Sequence, residues 1–241
     1  MHETRKKYTV LLLSAPIGSG HRLAAEALEQ AFADRPEVEV IHGNIFDFFP
    51  QFLGKAFLGT YLWILKCCPW LYKLAYSWGN KQGGSLWLRE LLNRLLASLG
   101  GSYLRSVQPD AVIATHATPA GIIGYYKKQH PKLWLGAVVT DFTIHRWWVC
   151  DGVDTYFIAD ALLRDKLTTT ADIQATGIPV RQQFMIKHDK QKCREFFGWD
   201  ENERVCLLMG GGEGLLPMAE IIAALQRAAL KNLRVVAVTG H

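Results

Sequence analysis

The sequence lacks the marks of several common protein classes. No run reaches the roughly 18 apolar residues that a membrane-spanning helix needs, and the absence of a GK[ST] motif excludes a P-loop nucleotide site. The five cysteines form neither a CxxC pair nor a zinc-ligand spacing with histidine. We therefore expect reduced thiols and no metal site.

A large excess of one charge is also lacking. The 241 residues carry a net charge of +5, and with a pI of about 8.9 this bias is too small to predict a nucleic-acid partner. Hydrophobic residues make up 49% of the chain and charged residues 20%, as in ordinary globular proteins. A chain of this length is expected to form one large domain or one and a half.

The first recognisable unit is a strand, a turn of small residues and a helix. Residues 10–13 are an unbroken apolar run, which is typical of a strand covered on both faces. Basic residues precede this run as in a signal peptide, but the run is short and continues into a turn and a helix, which favours a strand. Apolar residues at helical spacing follow along 23–32. His21 stands at the start of this helix, where backbone N–H groups can bind a polar ligand.

Strands and helices alternate further along the first 180 residues. This alternation predicts a doubly wound parallel sheet, in which ligands bind beyond the carboxyl ends of the strands. His21, His116 and Asp141 each follow a predicted strand, so we expect them to converge on one crevice.

Simpler interpretations of the crevice residues stay open. His116 could cap the helix that follows it, which is the interpretation we favour for that residue. Asp141 could form an Asx turn at the end of its strand. His145 and Trp148 are either packing residues or a wall over the pocket.

The segment 48–89 has the most unusual composition in the chain. It holds four of the eight tryptophans and five cations but no acid. That composition is typical of a helix in an anionic membrane interface. The alternative is a pair of core-packing helices whose lysines extend to solvent, but this leaves the absence of acids unexplained. The residues predicted to face the membrane are Lys55, Trp63, Lys66, Trp70 and Lys73.

A second α/β unit is predicted after a polar linker. A helix over residues 86–99 is expected to end at Gly100 and Gly101. Past the linker, a strand at 204–209 leads into a glycine turn and a helix, so the opening pattern repeats. About 60 residues are fewer than a typical domain contains. We therefore expect a first domain at 1–180 and the incomplete start of a second at 181–241.

Motifs along nearly the whole chain resemble one family. The sequence is similar to the monogalactosyldiacylglycerol synthase and processive diacylglycerol glucosyltransferase family of GT-B glycosyltransferases. The residues that carry this resemblance are Gly18-Ser19-Gly20-His21, Pro109-Asp110, Thr115-His116, Val139-Thr140-Asp141, Thr176-Gly177-Ile178-Pro179 and Met209-Gly210-Gly211-Gly212-Glu213-Gly214.

The resemblance implies a fold, a reaction and a set of site residues. It implies two Rossmann-like domains, the first for the acceptor and the second for the nucleotide sugar. It further implies inverting transfer of a hexose from UDP-glucose or UDP-galactose to diacylglycerol, by a peripheral protein on the cytoplasmic face of the membrane, with no other cofactor. His21 is the implied general base, and Asp141 would orient His21 or the acceptor. The residues implied for the donor are Gly20, Gly210, Gly211, Gly212 and Glu213, and those for the acceptor cleft are His116, His145 and Trp148.

Two other functions stay open at this stage. The family's second domain continues further than this sequence, so we expect a fragment or short form that is poor or inactive alone. One alternative is a non-catalytic module that binds membranes or glycolipids. The other is a peptidoglycan-type glycosyltransferase acting on an undecaprenyl-linked acceptor.

Overall fold

The computed structural model describes residues 7–15, 19–48, 86–211 and 216–239, together with the single positions 59, 63, 67, 68 and 70. The chain divides into two compact units, residues 1–181 and 182–241. Within the described ranges, no helix combines the length and apolar character needed to cross a bilayer.

The first unit is built on a parallel sheet. Its described residues form six strands in the spatial order β2-β1-β3-β4-β5-β6, and every neighbouring pair is parallel. The strands are β1 (Tyr8–Ser14), β2 (Val38–Asn44), β3 (Ala111–Ala114), β4 (Trp134–Val138), β5 (Thr155–Ile158) and β6 (Asp172–Ala175). The helices are α1 (Ser19–Phe32), α2 (Leu86–Val107) and α3 (Ala117–Lys127), with short 3₁₀ turns at Ile45–Phe48, Arg146–Trp148 and Ala161–Lys166.

Strand β1 shows why the sheet is covered on both sides. Leu11, Leu12 and Leu13 are all fully buried. Because successive side chains of a strand point to opposite faces, Leu11 and Leu13 join one hydrophobic cluster and Leu12 joins another. The predicted doubly wound parallel sheet is therefore confirmed, and so is the interpretation of residues 10–13 as a strand.

Helix α2 does not end where the sequence predicted. It continues through Gly100 and Gly101 to Val107. A Cβ atom on Gly100 would lie 2.5 Å from the Phe48 ring, so this glycine allows close packing inside the helix. Burial of Leu104 on the continuing helix contributes packing that offsets the poor helix propensity of two glycines.

The second unit contains two parallel strands among its described residues. They are β7 (Arg204–Met209) and β8 (Leu233–Val238), and the helices α4 (Lys190–Phe197) and α5 (Met218–Arg227) belong to the same unit. Gly198 ends α4 with a φ of 65°, a left-handed conformation that glycine adopts without steric cost.

Candidate active site

His21 lies in the first turn of α1, beside the ends of two other strands. Its Nδ1 atom is 2.7 Å from the carbonyl oxygen of Thr115, which directly follows β3. The same nitrogen is 2.8 Å from Oγ1 of Thr140, which follows β4. The convergence expected at the carboxyl edge of the sheet is therefore present, and it is anchored by two threonines.

These two contacts select a tautomer of His21. A carbonyl oxygen only accepts hydrogen bonds, so the imidazole proton lies on Nδ1 and is donated to Thr115. The Thr140 hydroxyl oxygen is then a second acceptor for the same N–H. In the neutral ring Nε2 carries the lone pair. The geometry thus prepares Nε2 of His21 to accept a proton from a bound hydroxyl group.

His116 packs edge-on against His21 and has the opposite tautomer. The ring centroids are 4.6 Å apart and the planes nearly perpendicular. His116 is the N-cap of α3, and its Nδ1 accepts the backbone N–H of Thr118 at 3.1 Å. Nδ1 is therefore unprotonated and Nε2 carries the hydrogen. The hydrogen bond from Thr118 confirms the capping interpretation. Burial, reinforced by the neighbouring His21 and His145, lowers the pKa of His116 to about 3, so this ring is neutral near pH 7.

Asp141 is paired with Trp148. The indole N–H of Trp148, a fully buried side chain, donates to Oδ2 of Asp141 at 3.0 Å. The contacts of His21 Nδ1 are with the Thr115 carbonyl and the Thr140 hydroxyl, and the predicted role of Asp141 in orienting His21 stays a prediction. Contact with an acceptor molecule stays a prediction for Asp141.

The loop after β4 brings His145 to the same region. His145 caps the 3₁₀ turn Arg146–Trp148, and its Nδ1 accepts the Trp147 N–H at 3.2 Å. Burial lowers the pKa of His145, while the nearby Asp141 carboxylate acts in the opposite direction. The ring centroids of His145 and Trp148 are 6.3 Å apart, and a role of either residue as a wall over the pocket stays a prediction.

The residues predicted to bind the donor are only partly described. Gly20 directly precedes His21, and a Cβ built there would meet no atom of the described residues within 4 Å. Gly210 and Gly211 belong to the second unit, where Gly211 has a φ of 72°. Gly212 and Glu213 lie outside the described residues. In the part of the chain that the structure describes, no group of three His, Cys, Asp or Glu residues is placed to hold a metal ion.

Sequence reasoning missed the two threonines that hold His21. Thr115 contributes through its backbone carbonyl, which no side-chain pattern reveals. Thr140 was noted only as part of a motif beside Asp141. The signal that could have found them is their position, because each is the first or second residue after a parallel strand that ends at the His21 edge.

Comparison with known proteins decides the family. A family model described as Monogalactosyldiacylglycerol (MGDG) synthase matches residues 21–180, more than half of the chain. The chain belongs to this family. The resemblance seen in the sequence motifs is thereby confirmed, and the matched range contains His21, His116, Asp141, His145 and Trp148.

Similar proteins within this group include bacterial and plant members. The chain is 28% identical over 223 residues to a "Processive diacylglycerol beta-glucosyltransferase" of Bacillus pumilus. This alignment covers 88% of this chain and 56% of that protein. It is also 28% identical over 247 residues to a "Probable monogalactosyldiacylglycerol synthase 2, chloroplastic" of Oryza sativa subsp. indica, covering 92% of this chain and 50% of that protein. The chain therefore spans little more than half the length of these relatives.

A solved structure supports the fold. The UDP-GlcNAc 2-epimerase of Neisseria meningitidis, whose crystal structure contains UDP-GlcNAc, aligns with a TM-score of 0.50 at 12% identity, covering 97% of this chain and 73% of that one. At this identity the likeness concerns the fold alone. It agrees with the Rossmann-like α/β architecture of the GT-B class.

If His21 acts as the base of the reaction proposed below, replacing Thr140 by valine should lower the rate of that reaction by up to about tenfold, because a single neutral hydrogen bond that positions His21 is lost. Thr140→Ser is the matched control, since it retains the hydroxyl. The measurement is kcat in a chain extended with a C-terminal domain from the family. Equal rates for the valine variant and the unchanged protein would remove Thr140 from the positioning of His21.

Proposed function

We propose that this chain provides the acceptor-binding part of a glycosyltransferase that moves a hexose from a UDP-sugar to diacylglycerol. The observation that carries the proposal is His21, whose Nδ1 proton is held by the Thr115 carbonyl so that Nε2 is the basic nitrogen. Membership of the family supports the same reaction, since the named relatives are diacylglycerol glucosyltransferases and galactolipid synthases.

The proposed step is a single displacement with inversion. The free hydroxyl oxygen of diacylglycerol forms a bond to the anomeric carbon as the bond from that carbon to the phosphate oxygen breaks. The hydroxyl proton passes to Nε2 of His21, and UDP leaves with the bonding electron pair. Nδ1–H of the resulting imidazolium still donates to the Thr115 carbonyl. A positioned base of this kind contributes about 10²–10⁴-fold to the rate.

A lipid acceptor requires contact with a membrane, and exposed apolar side chains support such a contact. Trp63 and Trp70 are 58% and 66% exposed. On α2, one stripe at intervals of four residues is also exposed, formed by Trp87, Leu91, Leu95 and Leu99. Contiguous apolar surface beside tryptophans is typical of a face that enters the membrane interface. We propose that the protein binds the membrane peripherally, on its cytoplasmic side.

One cation of this segment does not belong to the membrane face. Arg89 was counted with the basic residues of segment 48–89, but its guanidinium points inward and donates to backbone carbonyls of the loop after β4. The predicted membrane residues Lys55, Lys66 and Lys73 lie outside the described residues, so their interfacial role stays a prediction.

The function is tested by transfer of labelled hexose from UDP-glucose and UDP-galactose to diacylglycerol in anionic vesicles. The chain would be assayed alone and extended with a C-terminal domain from the family. Transfer by the extended form supports the proposal, and the better donor identifies the sugar. No transfer by either form, with vesicle binding retained, would instead favour a non-catalytic module that binds membranes.

Replacing Lys55, Lys66 and Lys73 by glutamine should weaken binding to anionic vesicles about 100-fold, because each lysine near such a surface contributes about 1 kcal/mol. The measurement is sedimentation with vesicles of increasing anionic lipid content. The matched control replaces Lys187, Lys190 and Lys192 of the second unit, which changes the net charge equally. Equal binding by the two triple variants would support the core-packing interpretation of the segment.

A further inference from the structure

The loop that carries His145 and Trp148 is held from two sides. On the sheet side, the Tyr156 hydroxyl of β5 bonds to the backbone carbonyls of Trp148 and Cys150, at 2.8 and 3.2 Å. On the helix side, Nη1 of Arg89 donates to the carbonyls of Arg146 at 3.0 Å and Val149 at 2.9 Å. Arg89 thus binds the first residue of the 3₁₀ turn and the residue that caps its end.

The Arg89 contacts are of a kind that fixes backbone position. Hydrogen bonds from a cation to carbonyl oxygens are stronger than neutral ones, and two carbonyls on one nitrogen define both distance and direction. The Nε atom of Arg89 is buried and has no hydrogen-bond partner among the described residues. Removing this group from water is costly, so the two carbonyl contacts must offset that cost.

The held loop packs beside His21 through the ring of His116. Trp148 donates to Asp141, and its ring centroid lies 6.5 Å from that of His116, which in turn packs on His21. A shift of the Arg146–Val149 backbone would therefore move Trp148 and with it the Asp141 carboxylate. Small displacements of positioning groups are sufficient to lower a reaction rate.

Arg89 also belongs to the helix with the exposed apolar stripe. It lies in the first turn of α2, two residues after the exposed Trp87. We infer that Arg89 is a positioning residue that ties the loop of His145 and Trp148, beside His21, to the helix whose exposed face we propose to meet the lipid. The inference rests on the proposed function for the identity of the acceptor, but the contacts that it invokes lie within the first unit.

The experiment compares Arg89→Met, which keeps the length of the stem, with Arg89→Lys, which keeps a charge and a donor. Hydrogen exchange of the amides at residues 145–150 is measured in the chain as it is. We expect exchange there to rise about tenfold or more in Arg89→Met, because two charge-assisted bonds are lost, and to rise less in Arg89→Lys. Exchange in β1 and β3 should not change. Arg94→Met, at an exposed position of the same helix, is the control.

Activity in the extended chain gives the second readout. We expect kcat/KM for diacylglycerol to fall about tenfold in Arg89→Met, with partial recovery in Arg89→Lys and an unchanged KM for the UDP-sugar. Unchanged exchange at residues 145–150 would overturn the inference. If Arg89→Met does not fold, the same exchange measurement is made on Arg89→Lys. Unchanged exchange at residues 145–150 in that variant would also overturn the inference. Failure of the proposed function is distinguishable, since it would abolish transfer in every variant while leaving the exchange result intact.

Discussion

Replacing His21 by alanine should lower hexose transfer by about 10²–10⁴-fold in the extended chain, because the reaction then lacks the base that removes the acceptor proton. The tautomer makes this expectation specific. Nδ1 is committed to Thr115 and Thr140, so only Nε2 can accept a proton. The measurement is kcat with a saturating UDP-sugar and diacylglycerol in vesicles.

The conservative variant His21→Asn separates base chemistry from structure. Its amide N–H can replace the Nδ1 donor to the Thr115 carbonyl, whereas no basic nitrogen remains at the position of Nε2. We expect His21→Asn to fold like the unchanged protein and to be nearly as inactive as His21→Ala. Imidazole added to His21→Ala should restore part of the rate. Near-normal turnover by His21→Asn would falsify the assignment of His21 as the base.

Most of the fold could be predicted from the sequence because each buried strand leaves a local pattern. The apolar run at Leu11–Leu13 marks a strand covered on both faces, and the same pattern recurs at Ala111–Ala114. The end of α2 could not be predicted in this way. A glycine pair usually ends a helix, and only the tertiary contact between Gly100 and the Phe48 ring shows why the helix continues.

In the candidate site, too, the positions of residues could be predicted from the sequence but their tertiary contacts could not. His21, His116 and Asp141 were found because strand ends converge in a parallel sheet, a rule that uses chain order alone. Their pairings were not predictable, since the Thr115 contact uses a backbone carbonyl and the Asp141–Trp148 bond depends on the course of a loop. Composition alone also could not predict the role of Arg89. Its segment is basic as a whole, but the Arg89 side chain points inward and binds the backbone of that loop.

The buried His116 should make the first unit sensitive to acid. Its pKa is lowered to about 3 by burial and by the neighbouring His21 and His145, whereas a histidine in the unfolded chain titrates near 6.5. Between these values the unfolded state binds the proton and the folded state does not, so stability falls as the pH falls. From pH 7.5 to 4.5 this effect should cost about 2.5 kcal/mol of unfolding free energy. His145, whose pKa is lowered by burial despite the nearby Asp141, acts in the same direction.

Comparing the unchanged protein with His116→Asn isolates this contribution. Asparagine is a good N-cap and can still accept the Thr118 N–H, but it does not titrate. Urea unfolding, followed by near-ultraviolet circular dichroism between pH 7.5 and 4.5, should show a flatter pH dependence for His116→Asn. The other histidines are common to both proteins and cancel in the difference. Parallel curves of unfolding free energy against pH for the two proteins would contradict this prediction. They would mean that His116 becomes charged in the folded state, which is incompatible with the neutral ring whose Nδ1 accepts the Thr118 N–H.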